Sequence, residues 1–68
     1  MSPLRELRLS KNLTLQQVAN ATGIERSGLG RIETGKRKPE TKNLKKIVSF
    51  FGGEITVEEI LFPEEFIK

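Results

Sequence analysis

Sixty-eight residues suffice for one small domain, with little room for a second site or a large core. The chain has no Cys, His, Tyr or Trp, which excludes disulfide staples and thiolate or imidazole metal sites and leaves only carboxylates and lysines for catalysis. Its net charge of +3 is unevenly spread: residues 1–46 hold eleven Lys and Arg against four Glu (+7), and residues 47–68 hold one Lys against five Glu (−4). That gives a basic front suited to polyanions and an acidic rear turned away from them. The apolar share of 35% supports a compact helical core. No apolar run approaches the ~20 residues that span a bilayer, and the N-terminus lacks the apolar centre of a signal peptide. A cytoplasmic protein without a membrane association is expected.

In chain order the pattern predicts an all-α domain of five short helices, and no alternating run long enough for a strand. Ser2 is placed to cap a first helix with Pro3 in its first turn, Leu4 and Leu7 inward, and an end near Lys11. Thr14-Leu15-Gln16-Gln17 is a capping box that opens the second helix, with Leu13 and Val18 as its hydrophobic staple. Gly23 ends that helix, and a third covers Arg26 to Glu33 and stops at Gly35. Lys36-Arg37-Lys38-Pro39 is then a basic loop, because Pro39 bars helix there. A fourth helix runs from about Thr41 to Phe51, with Leu44, Ile47, Val48 and Phe51 inward, and ends at Gly52-Gly53. Thr56-Val57-Glu58-Glu59 is a second capping box, opening a short fifth helix through Ile60 and Leu61 that Pro63 closes. Residues 1–61 are expected to be the domain and 62–68 a short apolar and acidic tail.

The stretch from Leu15 to Thr34 reads as two helices joined by a tight turn. Ala19 is small where the helix axes cross, Gly23 permits the left-handed backbone of the turn, and Val18, Ile24, Leu29 and Ile32 lock the pair together. A helix-turn-helix of this kind presents its second helix to a DNA major groove.

These residues resemble the Cro/lambda-repressor class of DNA-binding domains, the XRE family, over nearly everything from Leu4 to Leu61. The marks are Leu7-Arg8, Thr14-x-x-x-Val18-Ala19, Gly23-Ile24, and the ending Arg31-Ile32-Glu33-x-Gly35-Lys36-Arg37-x-Pro39. The resemblance implies a lambda repressor-like fold and a sequence-specific regulator of transcription, such as a small Cro-like repressor or a restriction–modification controller. Neither a cofactor nor a small-molecule ligand is implied. Arg26-Ser27-Gly28-Leu29-Gly30 is similar to the lambda repressor recognition helix. Two glycines in one short helix cost roughly 0.8–1 kcal/mol each relative to alanine. Both lie off the Leu29/Ile32 stripe, with little to crowd against, so their bare backbone is expected to approach base edges.

The implied base contacts are Arg26, Ser27, Gly28, Gly30 and Arg31, with Arg26 suited to the O6 and N7 acceptors of guanine. Thr14, Gln16 and Gln17 at the start of the second helix, and Thr34, Lys36, Arg37 and Lys38 after the third, are the expected phosphate contacts. Two positions depart from the family: Leu15 replaces a backbone-contacting glutamine, and Glu25 replaces a small hydroxyl residue at the third-helix cap. A carboxylate so near phosphate calls for a basic partner, for which Arg26 and Lys36 are the candidates. Arg8 and Glu33 correspond to an ion pair tying the first helix to the end of the third.

One recognition helix reads few base pairs, so a homodimer on a palindromic double-stranded operator is expected. Ile55, Val57, Ile60, Leu61, Phe62, Phe66 and Ile67 offer apolar surface for the subunit contact, unless Phe62 and Phe66 fold back on the core. The same tail suits a second reading, a protein-binding module of the antitoxin type. An enzyme is not expected: Glu58 and Glu59 point to different faces of a helix, and Glu64-Glu65 read as a solvated tail.

Overall fold

Local chemistry at each helix start sets the architecture. In a computed structural model that describes residues 2–66, five α-helices and one short 3₁₀ turn follow in order. The helices are α1 (Pro3–Ser10), α2 (Leu15–Thr22), α3 (Arg26–Glu33), α4 (Thr41–Phe50) and α5 (Val57–Leu61). There is no strand among the described residues. Ser2 Oγ accepts from the Arg5 amide at 3.3 Å, which caps α1. Both capping boxes are closed. In the first, Thr14 Oγ1 accepts from the Gln17 amide at 3.0 Å and Gln17 Oε1 from the Thr14 amide at 2.8 Å. In the second, Thr56 and Glu59 repeat the exchange at 3.1 and 3.0 Å. Each reciprocal pair satisfies two amides that the helix itself cannot.

Terminators are equally local. Gly23 takes φ +75°, and its amide donates to Ala19 O at 2.8 Å. A side chain there would be strained, so the chain reverses within one residue and α3 begins three positions later. Helix α4 stops at Phe50, one residue earlier than the pattern predicts, with Phe51 as its cap.

The core is built from Leu4, Val18, Ala19, Ile24, Leu29, Ile32, Leu44, Ile47, Phe51, Ile55 and Ile60, all buried. Helix α2 packs on both α3 and α4, while α5 closes against α1 and α4. Val48, expected inward, is half-buried, and so is Leu7. One polar tie crosses this core. Arg8 Nε donates to Glu33 Oε2 at 2.6 Å and its Nη2 to Oε1 at 3.3 Å, both side chains being buried. Arg8 Nη1 also donates to Leu13 O at 2.7 Å, so the guanidinium is bonded in three directions. At the surface, Lys11 Nζ meets Glu54 Oε1 at 3.0 Å, joining the end of α1 to the loop before α5.

The tail divides. Ile55 and Ile60 are core, Leu61 is half-buried, and Val57, Phe62 and Phe66 stay exposed. Phe62 and Phe66 therefore do not fold back into the core; Ile67 lies outside the described residues. Pro63 closes α5 as expected, and it also opens the 3₁₀ turn Pro63–Glu65. Pro63 is itself buried and approaches Gly35, so the chain packs on the domain at that residue.

Candidate nucleic-acid interface

Helix α3 is amphipathic in a way that fixes its outward face. Leu29, Ile32 and Glu33 are buried, whereas Arg26, Ser27, Arg31 and Thr34 are exposed. Ser27, Arg31 and Thr34 follow one another at i, i+4 and i+7, so they form a single row along the helix. Arg26, also exposed, precedes them in the first turn, roughly 100° around the helix from Ser27. The Thr34 hydroxyl donates back to the helix carbonyls of Gly30 or Arg31, each at 3.2 Å, so it terminates α3 as well as facing solvent.

The start of α2 lies beside α3 and adds polar groups. Its capping box uses the Thr14 oxygen and the Gln17 carbonyl oxygen as acceptors, and among the described residues the Thr14 hydroxyl proton and the Gln17 amide hydrogens have no acceptor. Gln16 differs: its Nε2 donates along the helix to Asn20 Oδ1 at 2.8 Å, with a second amide hydrogen in reserve. Leu15 is half-buried against Gly30.

The two glycines of α3 occupy less open ground than their sequence positions indicate. A Cβ on Gly28 would stand 3.2 Å from Arg37 Nη1, and one on Gly30 would stand 3.7 Å from Leu15 Cδ1. Gly28 is buried and Gly30 half-buried. The expectation that Gly28 has little to crowd against is therefore corrected. Gly28 makes room for the Arg37 guanidinium, whereas a Cβ on Gly30 would make only ordinary van der Waals contact with Leu15.

Beyond α3, the amides of Lys36 and Arg37 both donate to Arg31 O, at 2.9 and 3.3 Å, so one helix carbonyl anchors the basic loop. Lys36 and Arg37 remain exposed. Lys38 is placed otherwise. Its Nζ donates to Leu61 O and lies 4.8 Å from the centre of the Phe62 ring. The expected phosphate contact is thus turned toward the tail, where it caps the exposed end of α5.

Arg37 also lines a recess of roughly 300 Å³ with Glu25, Glu40, Lys42, Asn43 and Lys46. Lys42, Asn43 and Lys46 were not among the expected contacts. Their signal was present: Lys42 and Lys46 are one helical turn apart, flanking the inward Leu44 and Ile47 stripe, and Pro39 forces the helix to start beside them. Glu25 forms no ion pair among the described residues, so neither Arg26 nor Lys36 is its partner. It accepts instead from the Ser27 hydroxyl at 2.6 Å. No grouping of acidic residues among the described ones is suited to hold a metal ion.

The helix-turn-helix family matches residues 4–57, which takes in α1 to α4 and every expected DNA contact. The chain belongs to the XRE family of helix-turn-helix proteins. That family is one of DNA-binding regulators, not of enzymes. Among curated relatives, the chain is 39% identical over 64 residues to the HTH-type transcriptional activator BcrR of Enterococcus faecalis, covering 94% of this chain and 30% of that protein. It is 33% identical over 66 residues to the HTH-type transcriptional repressor RghR of Bacillus subtilis, covering 96% and 47%. The putative antitoxin HigA2 of Mycobacterium tuberculosis is 39% identical over 64 residues, covering 93% and 63%. The chain thus spans less than two thirds of each of these relatives. No solved structure matches it significantly. No helix is long and apolar enough to cross a membrane among the described residues.

Proposed function

We propose that this domain binds double-stranded DNA sequence-selectively as a regulator of transcription in the cytoplasm, with α3 lying in the major groove. The observation that carries the reading is the exposed row of Ser27, Arg31 and Thr34 with exposed Arg26 beside it in the first turn, and donors on either side. On one side stand Thr14, Gln16 and Gln17; on the other, Lys36, Arg37, Lys42 and Lys46. Base readout falls to Arg26, Ser27 and Arg31, and phosphate contact to the flanks. Gly28 acts through Arg37 and Lys38 through the tail, while Gly30 offers bare backbone to the base edges. The domain works as a homodimer on a palindromic operator, since half-sites one helical turn apart supply the selectivity that one short helix lacks. Exposed Phe62 and Phe66 supply apolar surface for the second subunit.

Selection from a random duplex library tests the reading. A defined palindrome is expected, and Arg26→Ala should lose about 1–3 kcal/mol on it with relaxed preference at one base pair. Equal loss on every sequence would restrict Arg26 to phosphate. A second reading, an antitoxin-type module, is favoured by the likeness to HigA2 together with the exposed Val57, Phe62 and Phe66. A stable stoichiometric complex with a small co-encoded toxin, lost in Phe62→Ser with DNA binding intact, would establish it.

A further inference from the structure

We propose that Glu25, oriented by Ser27, is a specificity residue that accepts a hydrogen bond from the N4 amino group of a cytosine in the major groove. The inference rests on the DNA-binding reading above and deepens it. Glu25 immediately precedes Arg26, at the tip of the unit where α3 begins, and it is exposed. Two ordinary reasons for a glutamate at that place are absent. Its side chain makes no capping hydrogen bond to α3, unlike Thr14 on α2 and Thr56 on α5. Nor does it pair with a base among the described residues, although Arg37, Lys42 and Lys46 line the same recess.

Among the described residues its one side-chain partner is Ser27, whose hydroxyl donates to Oε1 at 2.6 Å. That bond has two consequences. It holds the carboxylate over the first turn of α3, alongside the side chains that face the groove. It also spends the only proton of the Ser27 hydroxyl, so Glu25 and Ser27 together present acceptors and no donor. An all-acceptor pair discriminates among bases by elementary complementarity. Guanine N7 and O6 and thymine O4 are acceptors and repel it. Adenine offers N6 as a donor, but its neighbouring N7 is an acceptor. Cytosine offers its N4 amino group beside the non-accepting C5–H edge of its own ring, with the guanine O6 of the pair on the other side. A negative charge at this point weakens attraction to every phosphate, so Glu25 lowers affinity for wrong sequences while a cytosine donor offsets the loss on the right one. Arg26, with donors only, complements the pair by reading guanine.

Parallel selections with the wild-type chain, Glu25→Gln and Ser27→Ala test this, with circular dichroism confirming the fold of each variant. The wild type should require cytosine at one position of each half-site. Glu25→Gln should lose that preference by about tenfold, or exchange it for adenine, whose N6 and N7 suit an amide, while other positions are unchanged. Ser27→Ala should weaken the preference at that same position. A consensus identical in the wild type and Glu25→Gln, including one accompanied by uniformly tighter binding, overturns the assignment and leaves base readout by α3 standing. An unchanged cytosine preference in Ser27→Ala overturns the positioning role of Ser27. A wild-type chain that selects no sequence at all defeats the underlying DNA reading instead.

Discussion

Arg8 and Glu33 are buried ions whose mutual geometry, two bonds of 2.6 and 3.3 Å, offsets their loss of hydration. Removing one partner strands the other, which typically costs about 3–5 kcal/mol. Arg8→Ala should therefore lower Tm by roughly 12 °C or more for a domain of this size, as read by thermal denaturation. A selective change of preferred DNA sequence with Tm intact would contradict the structural role. Gly28 gives a prediction of opposite sign. Its new Cβ would press only on the far end of Arg37, while alanine adds about 0.8–1 kcal/mol of helix propensity. Gly28→Ala should raise Tm and weaken DNA binding together, because the displaced guanidinium no longer sits over the first turn of α3. Raised Tm with unchanged affinity would remove Arg37 from the interface. Neither the burial of Gly28 nor the diversion of Lys38 to Phe62 was legible in the chain. Both arise from contacts between elements, and a local pattern carries no trace of where a flexible cationic side chain comes to rest.

Element boundaries, by contrast, were largely written in the residues themselves. Ser2, Thr14 and Thr56 each bond to an amide three residues on, and Gly23 takes its positive φ without help from any neighbour. These are short-range effects, so a sequence window contains their whole cause. Gly23→Ala isolates one of them. No atom lies within 4 Å of the added Cβ, so the entire cost is backbone strain of about 1–2 kcal/mol. A thermal melt should show that loss. A variant as stable as the wild type would mean that the turn tolerates another conformation. The basic recess lay between these cases. Lys42 and Lys46 were visible as a helical pair on α4, but only the fold, which sets the start of α4 across a recess from the start of α3, puts them beside Arg37. The pattern located the element and not its neighbours.

At the scale of the whole molecule, the charge division acquires a spatial sense. Arg26, Arg31, Lys36, Arg37, Lys42 and Lys46 lie on α3, follow it or line the recess, while Glu58, Glu59, Glu64 and Glu65 belong to α5 and the turn after it. Long-range attraction should thus orient the domain before any base contact forms. Log affinity should fall linearly with log salt at about −0.9 per phosphate neutralised, and Lys42→Ala and Lys46→Ala should each reduce that slope by about 1. A slope unmoved by either change would exclude the recess from the DNA path.

The docking of α3 itself is tested most directly by titrating ¹⁵N-labelled protein with its selected duplex and following the backbone amide shifts. The largest changes are expected at Arg26, Ser27 and Arg31, with smaller ones at Thr14 to Gln17 and at Arg37 to Lys46. Perturbations confined to α5 and the residues after it, with the α3 amides unmoved, would contradict it.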